Sequence, residues 1–277
     1  MKKYRKLSLF LVLMMLLSSL PLAAFAEDTY VIQEGDMLWQ IAEKYGRTYE
    51  ELAVYNDIED PNMIYAGDSV KIPEGELKKI TLLGTADMHG RIYAYEYAID
   101  AVDKDAGLAK IQTLVKEVRA NEDNVILMDV GDTVQDNSAE LFNDLPVHPM
   151  VQAMNEMDYD VWTLGNHEFN FEKSFLERNI AAFEGEVLSS NIYNEGTTER
   201  FVDGYTIMTV DGVRVAIVGM IPPHVPIWEA SAPSHFAGLE FTDITEETGK
   251  VIKELEGKYD VLVGAYHLGP YAYKGMP

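Results

Sequence analysis

The sequence predicts an α/β protein in two parts, a small βααβ unit followed by a larger domain on a mixed sheet. Three observations carry this. Between residues 30 and 73, two helical patterns are bracketed by two strand patterns. From residue 80 onward, apolar runs of strand length alternate with amphipathic helical patterns, the order that covers both faces of a sheet. An Asp211-Gly212 pair between two β-rich runs adds a hairpin, so the sheet is at least partly mixed.

The first 26 residues stand apart. Lys2, Lys3, Arg5 and Lys6 precede an apolar run over 7–22, and Ala24-Phe25-Ala26 puts small residues at both cleavage positions. This is the pattern of a secretory signal peptide. A retained anchor is the other reading, disfavoured by that site and by the polar chain after it. Cleavage after Ala26 removes four basic residues and no acidic ones, taking the net charge from −24 to −28. No later run is long and apolar enough to span a bilayer. The expectation is a secreted, extracellular chain that leaves the membrane once the signal is cut.

In the small unit, "YVIQ" at 30–33 reads as a strand, and Asp36 stands where it could cap a helix carrying Leu38, Ile41, Ala42 and Tyr45 on one face. Thr48 and Glu51 form a capping box for a second helix bearing Leu52 and Tyr55. "SVKIP" at 69–73 closes the unit as a strand. The stretches "GDMLWQIA", "YGRTYEEL" and "AGDSVKIP", in that order over 30–73, resemble the LysM module. The resemblance implies binding to N-acetylglucosamine in peptidoglycan or chitin, and so cell-wall association. The bland alternative is a generic small α+β domain.

A charged connector, "EGELKK", leads to the second unit. Strand-like runs fall at 80–86, 125–130, 161–164, 187–190 and 261–266. Between them, Leu108, Ile111, Leu114, Val115 and Val118 share one helical face, and Phe171, Phe175, Leu176, Ile180 and Phe183 share another. "YTIMTV" and "VRVAIVGM" flank the Asp211-Gly212 turn.

Composition narrows the chemistry. The 277 residues carry 22 Lys and Arg against 46 Asp and Glu. Such a surface repels a nucleic-acid duplex, and an anionic small substrate would need local positive charge such as metal ions. With no cysteine, any metal must sit on His, Asp, Asn, Glu, Gln or water.

Candidate ligands occupy equivalent places. Asp87 and His89 follow the first strand of the larger unit, Asp132 the second, Asn166 and His167 the third, and His267 ends the last. Polar groups at the carboxyl ends of several strands are how open α/β sheets build sites. Singly, each has a plain reading as a turn former, helix cap or surface residue. Their shared position favours the joint reading. Nitrogen and oxygen donors without sulfur suit Mn, Fe, Zn, Co or Mg. Asp132 could bridge two such ions, and a pair about 3.5–4 Å apart can polarise a phosphoryl oxygen and activate water.

The motifs "DMH" (87–89), "GDTVQD" (131–136), "GNHE" (165–168) and "GAYHLG" (264–269) resemble, in order and spacing, those of calcineurin-like metallophosphoesterases. The secreted 5′-nucleotidase and cyclic-nucleotide phosphodiesterase branch is the most similar. The resemblance implies a metallophosphoesterase sandwich domain over 80–277. It implies one divalent ion on Asp87, His89 and Asp132 and a second on Asp132, Asn166 and His267. His167 would then serve the phosphoryl transition state or the leaving oxygen.

Two departures follow. The 5′-nucleotidases typically read "GNHEFD", whose Asp supports the catalytic His, and here Asn170 stands at that position. "GNHEFN" together with "PVHPMVQAMN" looks more like the 2′,3′-cyclic-nucleotide 2′-phosphodiesterase/3′-nucleotidase subgroup, so His167 and Asn170 are the expected catalytic pair. The family's last motif, Gly-His-x-His, does not occur before Pro277, nor does a nucleoside-binding C-terminal domain, so the domain is expected to be incomplete at its C-terminus. In this form it is expected to bind metal poorly and turn over little. The expected function is hydrolysis of 2′,3′-cyclic nucleotides and 3′-nucleotides. The alternatives are a 5′-nucleotidase or nucleotide-sugar hydrolase, and a wall-binding LysM protein with an inactive phosphoesterase domain. His148, His224 and His235, in Pro-rich contexts, read as loop residues and Arg91 as an exposed loop residue. Glu168 reads as a support for its neighbours, and Asp129 as an orienter of the turn at Gly131.

Overall fold

The computed structural model describes residues 28–75, 78–96, 99–104 and 106–268. The expected signal peptide and the end of the "GAYHLG" motif lie outside the described residues. Two compact units divide between Leu77 and Lys78. Among the described residues, no helix is long and apolar enough to cross a membrane.

In the small unit, β1 (Asp28–Val31) pairs antiparallel with β2 (Ser69–Ile72), and α1 (Leu38–Lys44) and α2 (Tyr49–Tyr55) lie between them in sequence. Leu38, Ile41, Leu52, Val70 and Ile72 make its core. Thr48 and Glu51 form the expected capping box, each accepting the other's backbone N–H. Asp36 does not cap α1. Its carboxylate accepts from the Gln33 N–H and the Tyr30 hydroxyl, closing the preceding turn, and Met37 takes the cap position. Asn56 joins helix to strand: its amide donates to the Leu52 and Lys71 carbonyls and accepts from the Lys71 N–H.

The larger unit is a sandwich of two sheets with helices on the outer faces. β3 (Thr81–Thr85), a short β4 (Tyr95–Glu96) and β5 (Ala101–Val102) ladder, α3 (Leu108–Asn121) and β6 (Val125–Asp129) come first. α4 (Pro149–Glu156), β7 (Val161–Thr163), α5 (Lys173–Ala182) and β8 (Glu186–Leu188) follow. The first sheet, in order β3-β6-β7-β8, is parallel throughout. β9 (Ile192–Asn194) pairs with β12 (Leu239–Phe241) at one side. β10 (Tyr205–Val210) and β11 (Val213–Met220) form the antiparallel hairpin, and β11 pairs in parallel with β13 (Val261–Tyr266). The hairpin turn has φ of 48° at Asp211 and 81° at Gly212, the left-handed pair that matches the twist of the strands.

Alternation along the strands sets the layers. Ile126 and Met128 face Val215 and Ile217 between the sheets, while Leu127 turns the other way onto α3 and α4 residues such as Val115 and Met154. On β11, Ala216, Val218 and Met220 face Val251 and Leu255 of α7 (Ile244–Leu255). A short α6 (Val225–Trp228) lies between β11 and β12. Burying both faces of β6 and β11 explains why they read as continuous apolar runs.

His148, expected as a loop residue, is buried at the start of α4. Its Nδ1 accepts the Met150 N–H and its own N–H donates to Asn179 on α5. The prolines on either side in sequence hid this cap. Burial, with the Arg178 charge nearby, pushes the imidazole down from 6.5 to about 4. Between those values the unfolded chain takes up a proton that the folded chain refuses, so stability falls as pH falls from 6.5 through about 4. The full effect is roughly 3 kcal/mol at the linkage slope of one protonation. His148→Asn, which keeps a capping side chain but cannot titrate, should flatten this limb in urea unfolding at pH 4.5 against pH 7.5. An unchanged acid limb would refute the assignment.

Candidate metal centre

The loops after β3 and β6 are held together by their backbones. Asp87 N–H donates to Gly131 O at 2.9 Å, and His89 N–H to Asp132 O at 2.9 Å. Asp87, His89 and Asp132 all sit in the left-handed region, with φ of 53°, 44° and 57°. Non-glycine residues reach that region only at a cost of about 1–3 kcal/mol, and such positions gather at functional sites. Gly131 and Gly165 let the loops after β6 and β7 touch. A Cβ on Gly131 would meet the Gly165 nitrogen at 2.5 Å, and one on Gly165 would meet Asp132 Oδ1 at 2.4 Å.

Glu168 ties the two loops. Fully buried, it accepts the N–H groups of Asp132 (2.9 Å), Thr133 (2.7 Å) and Gly165 (2.6 Å). Burial and the Asp132 charge push its proton affinity up, and those three donors pull it down. Asp129 accepts from Gly131 N–H and from the Thr133 and Thr85 hydroxyls, orienting the turn as its place in the sequence suggested. Burial raises its carboxyl to about 7.

The imidazoles converge. His267 donates from Nδ1 to Val130 O at 2.7 Å, because a carbonyl can only accept, so its Nε2 faces inward. That Nε2 lies 3.1 Å from Asp132 Oδ2 and 3.2 Å from Asn166 Oδ1. His89 donates from Nδ1 to Gln135 Oε1 at 2.9 Å, leaving its Nε2 4.0 Å from Asp87 Oδ1. Ligand atoms of Asp87, His89 and Asp132 lie within 4.8 Å of one another. His167 Nε2 is 3.9 Å from Asp132 Oδ2, and its ring packs edge-on against His89 at 5.2 Å. His167 Nδ1 bonds Asn170 Oδ1, and the Asn170 amide donates to Glu229 at 2.6 Å.

Burial would raise the Asp132 carboxyl, but the facing His267 and the His167 N–H hold it below its ordinary value. Burial likewise disfavours charge on His267, yet the Asp132 carboxylate and the Val130 carbonyl raise it to about 9. Asp132 Oδ2 and His267 Nε2 thus face each other as two lone-pair donors that can share a proton. That donor set suits a divalent cation, which would displace the proton.

The structure brings together Asp87, His89, Asp132, Asn166, His167, Asn170 and His267, all seven of the residues picked out along the sequence. Gln135 and Glu229 were not picked out. Gln135 sits in the motif "GDTVQD" and orients His89, whereas Glu229 lies in a loop with no periodic signal. Arg91 is half-buried rather than exposed, and its guanidinium is committed to Glu96 and Asp103. Beside the centre opens a cavity of about 810 Å³, lined by Asp87, His89, His167, Lys104, Lys110 and Leu108 among others.

Residues 30–73 match the LysM domain, and residues 80–272 match the calcineurin-like phosphoesterases. The chain belongs to the calcineurin-like phosphoesterase family, with a LysM domain at its N-terminal side. It is 28% identical over 208 residues to a 2′,3′-cyclic-nucleotide 2′-phosphodiesterase/3′-nucleotidase of Haemophilus influenzae, covering 69% of this chain and 31% of that protein. It is 32% identical over 202 residues to a 5′-nucleotidase of Vibrio cholerae, covering 70% of this chain and 34% of that protein. Among solved structures, the calcineurin-like phosphoesterase YfkN of Bacillus subtilis superposes with a TM-score of 0.63 at 27% identity. That match covers 69% of this chain and 62% of the other. The chain spans about a third of the length of these curated relatives. The fold is therefore the mixed α/β sandwich expected from the sequence.

Proposed function

We propose that the protein is a secreted, wall-associated phosphoesterase that opens 2′,3′-cyclic nucleotides and then hydrolyses the 3′-nucleotides to nucleoside and phosphate. The observation that carries this reading is the convergence around Asp132 of Asn166 and His167 from one strand end and His267 from another, beside a cavity of nucleotide size. The residues fit two divalent ions, one on Asp87, His89 and Asp132, the other on Asp132, Asn166 and His267. Mn, Zn, Fe, Co and Mg all suit such donors. When bound, the ions supply Lewis-acid polarisation of the phosphoryl group and activation of water.

His167 Nε2 faces the same space with its Nδ1 tied to Asn170, so as imidazolium it donates to a phosphoryl oxygen or protonates the departing one. In the first hydrolysis water adds across the P–O2′ bond, O2′ leaves with a proton, and the 3′-monophosphate remains. A second water breaks the P–O3′ bond. Asn170 in place of a carboxylate favours this substrate class over 5′-nucleotides, while the 32% identity to a protein named 5′-nucleotidase supports the second reading. The test uses full-length protein loaded with Mn2+ and compares kcat/KM for 2′,3′-cyclic AMP, 3′-AMP and 5′-AMP. The first two should lead. A clear lead for 5′-AMP hands the site to the 5′-nucleotidase reading.

Wall attachment rests on the LysM unit, which has its own core. Residues 28–75 should pellet with insoluble peptidoglycan through its N-acetylglucosamine. If they remain in the supernatant with a charge-matched control, the wall-association proposal fails.

A further inference from the structure

Asn170 is an amide where a carboxylate would hold the catalytic imidazole more firmly, and an amide has a weakness. It can rotate by half a turn, presenting NH2 instead of oxygen, and would then support the opposite tautomer of His167. Glu229 removes that freedom. A carboxylate only accepts, so the Asn170 group facing Glu229 at 2.6 Å must be the NH2. The oxygen then faces His167, and Nδ1 must carry the hydrogen. This leaves Nε2 directed toward Asp132, 3.9 Å away, and toward the cavity.

Glu229 is itself held. Its N–H donates to Val225 O at 2.9 Å at the end of α6, and its carbonyl accepts from Ala232 N–H at 2.9 Å. The carboxylate also polarises the amide between it and the ring, strengthening the Asn170 to His167 bond. We propose that Glu229 is a positioning residue for His167, acting through Asn170 by locking the amide so that only one tautomer of the imidazole is supported. Glu229, Asn170 and His167 together replace the direct carboxylate–imidazole pair, with the charge moved one amide outward. The role of His167 in turnover rests on the phosphoesterase reading above. The tautomer lock does not.

The experiment uses the full-length protein labelled with 15N-histidine, with the His167 signal identified by its loss in His167→Gln. Wild type should show His167 with Nδ1 protonated in its neutral form. Glu229→Ala should mix the two tautomers and lower kcat on 2′,3′-cyclic AMP about 10–100-fold, with KM and metal content near wild type. Glu229→Gln still offers Asn170 an acceptor oxygen and should recover most of both signals. In an Asn170→Asp background the ring gains a carboxylate directly, and Glu229→Ala should then stop lowering kcat. A wild-type tautomer in Glu229→Ala would overturn the proposal. So would an equal loss of kcat from Glu229→Ala in both backgrounds, the mark of a purely structural role. If wild type shows no turnover on any phosphoester, the phosphoesterase reading fails while the NMR comparison still decides the lock.

Discussion

Replacing Asp132 by Ala should strip the protein of bound metal and lower phosphoesterase turnover by more than about 10³-fold, the scale of losing a metal-activated nucleophile and its charge stabilisation. No other residue of the site has its connections. Its Oδ2 faces His267 Nε2 at 3.1 Å, its Oδ1 accepts the His167 N–H at 2.8 Å, and its N–H ends on Glu168. It is buried, so its charge is weakly screened. Asp132→Asn separates shape from charge. The amide keeps an acceptor for the His167 N–H yet offers a neutral, weaker ligand, so metal should be lost while the fold survives. Elemental analysis and circular dichroism of the two variants check this. Two equivalents of metal retained by a folded Asp132→Ala protein would remove Asp132 from the proposed shared position.

Glu168 should give the largest loss of stability, and its amide variant should not rescue it. Glu168→Ala leaves the buried N–H groups of Asp132, Thr133 and Gly165, and the more distant one of Val134, without this acceptor, a cost of roughly 3–9 kcal/mol at 1–3 kcal/mol for each of the three short bonds. Glu168→Gln is nearly the same shape but brings an NH2 head to a place where Asp132, Thr133 and Gly165 all present donors. Donor against donor should cost about 2–4 kcal/mol. Urea unfolding of the metal-free protein reads both without any contribution from the metal. A Glu168→Gln variant within about 0.5 kcal/mol of wild type would show that the loops do not depend on this carboxylate.

The residues of the centre were legible because each stands just after an apolar run. "VILMDVGD" and "VWTLGNHE" show where a strand stops and what it delivers, since chain order and strand order coincide along β3, β6 and β7. The hairpin was equally plain from Asp211-Gly212. What the sequence hid were side chains whose partners come from tertiary packing alone. Glu229 meets Asn170 across 59 positions of chain, from a Pro-rich loop with no period. His148 looked like a loop residue because its neighbouring prolines suggest a break, although Pro149 opens α4. Asp36 lies close enough to α1 in sequence to cap it, but its Oδ2 accepts from Tyr30 and Gln33 instead.

His267 comes from the second sheet, whereas Asp87, His89, Asp132 and Asn166 follow strands of the first. Strands β3, β6 and β7 are neighbours, so four of the five donors can gather once one sheet has formed. The fifth arrives only when β13 has paired with β11 and the apolar layer of Ile126, Met128, Val215 and Ile217 has closed. Contacts between such distant parts of a chain form late, because their loop entropy must be met first. Under the two-ion assignment proposed above, a nascent domain would present one ion's ligands before the other's, so the order in which the positions fill would follow the order in which the layers dock.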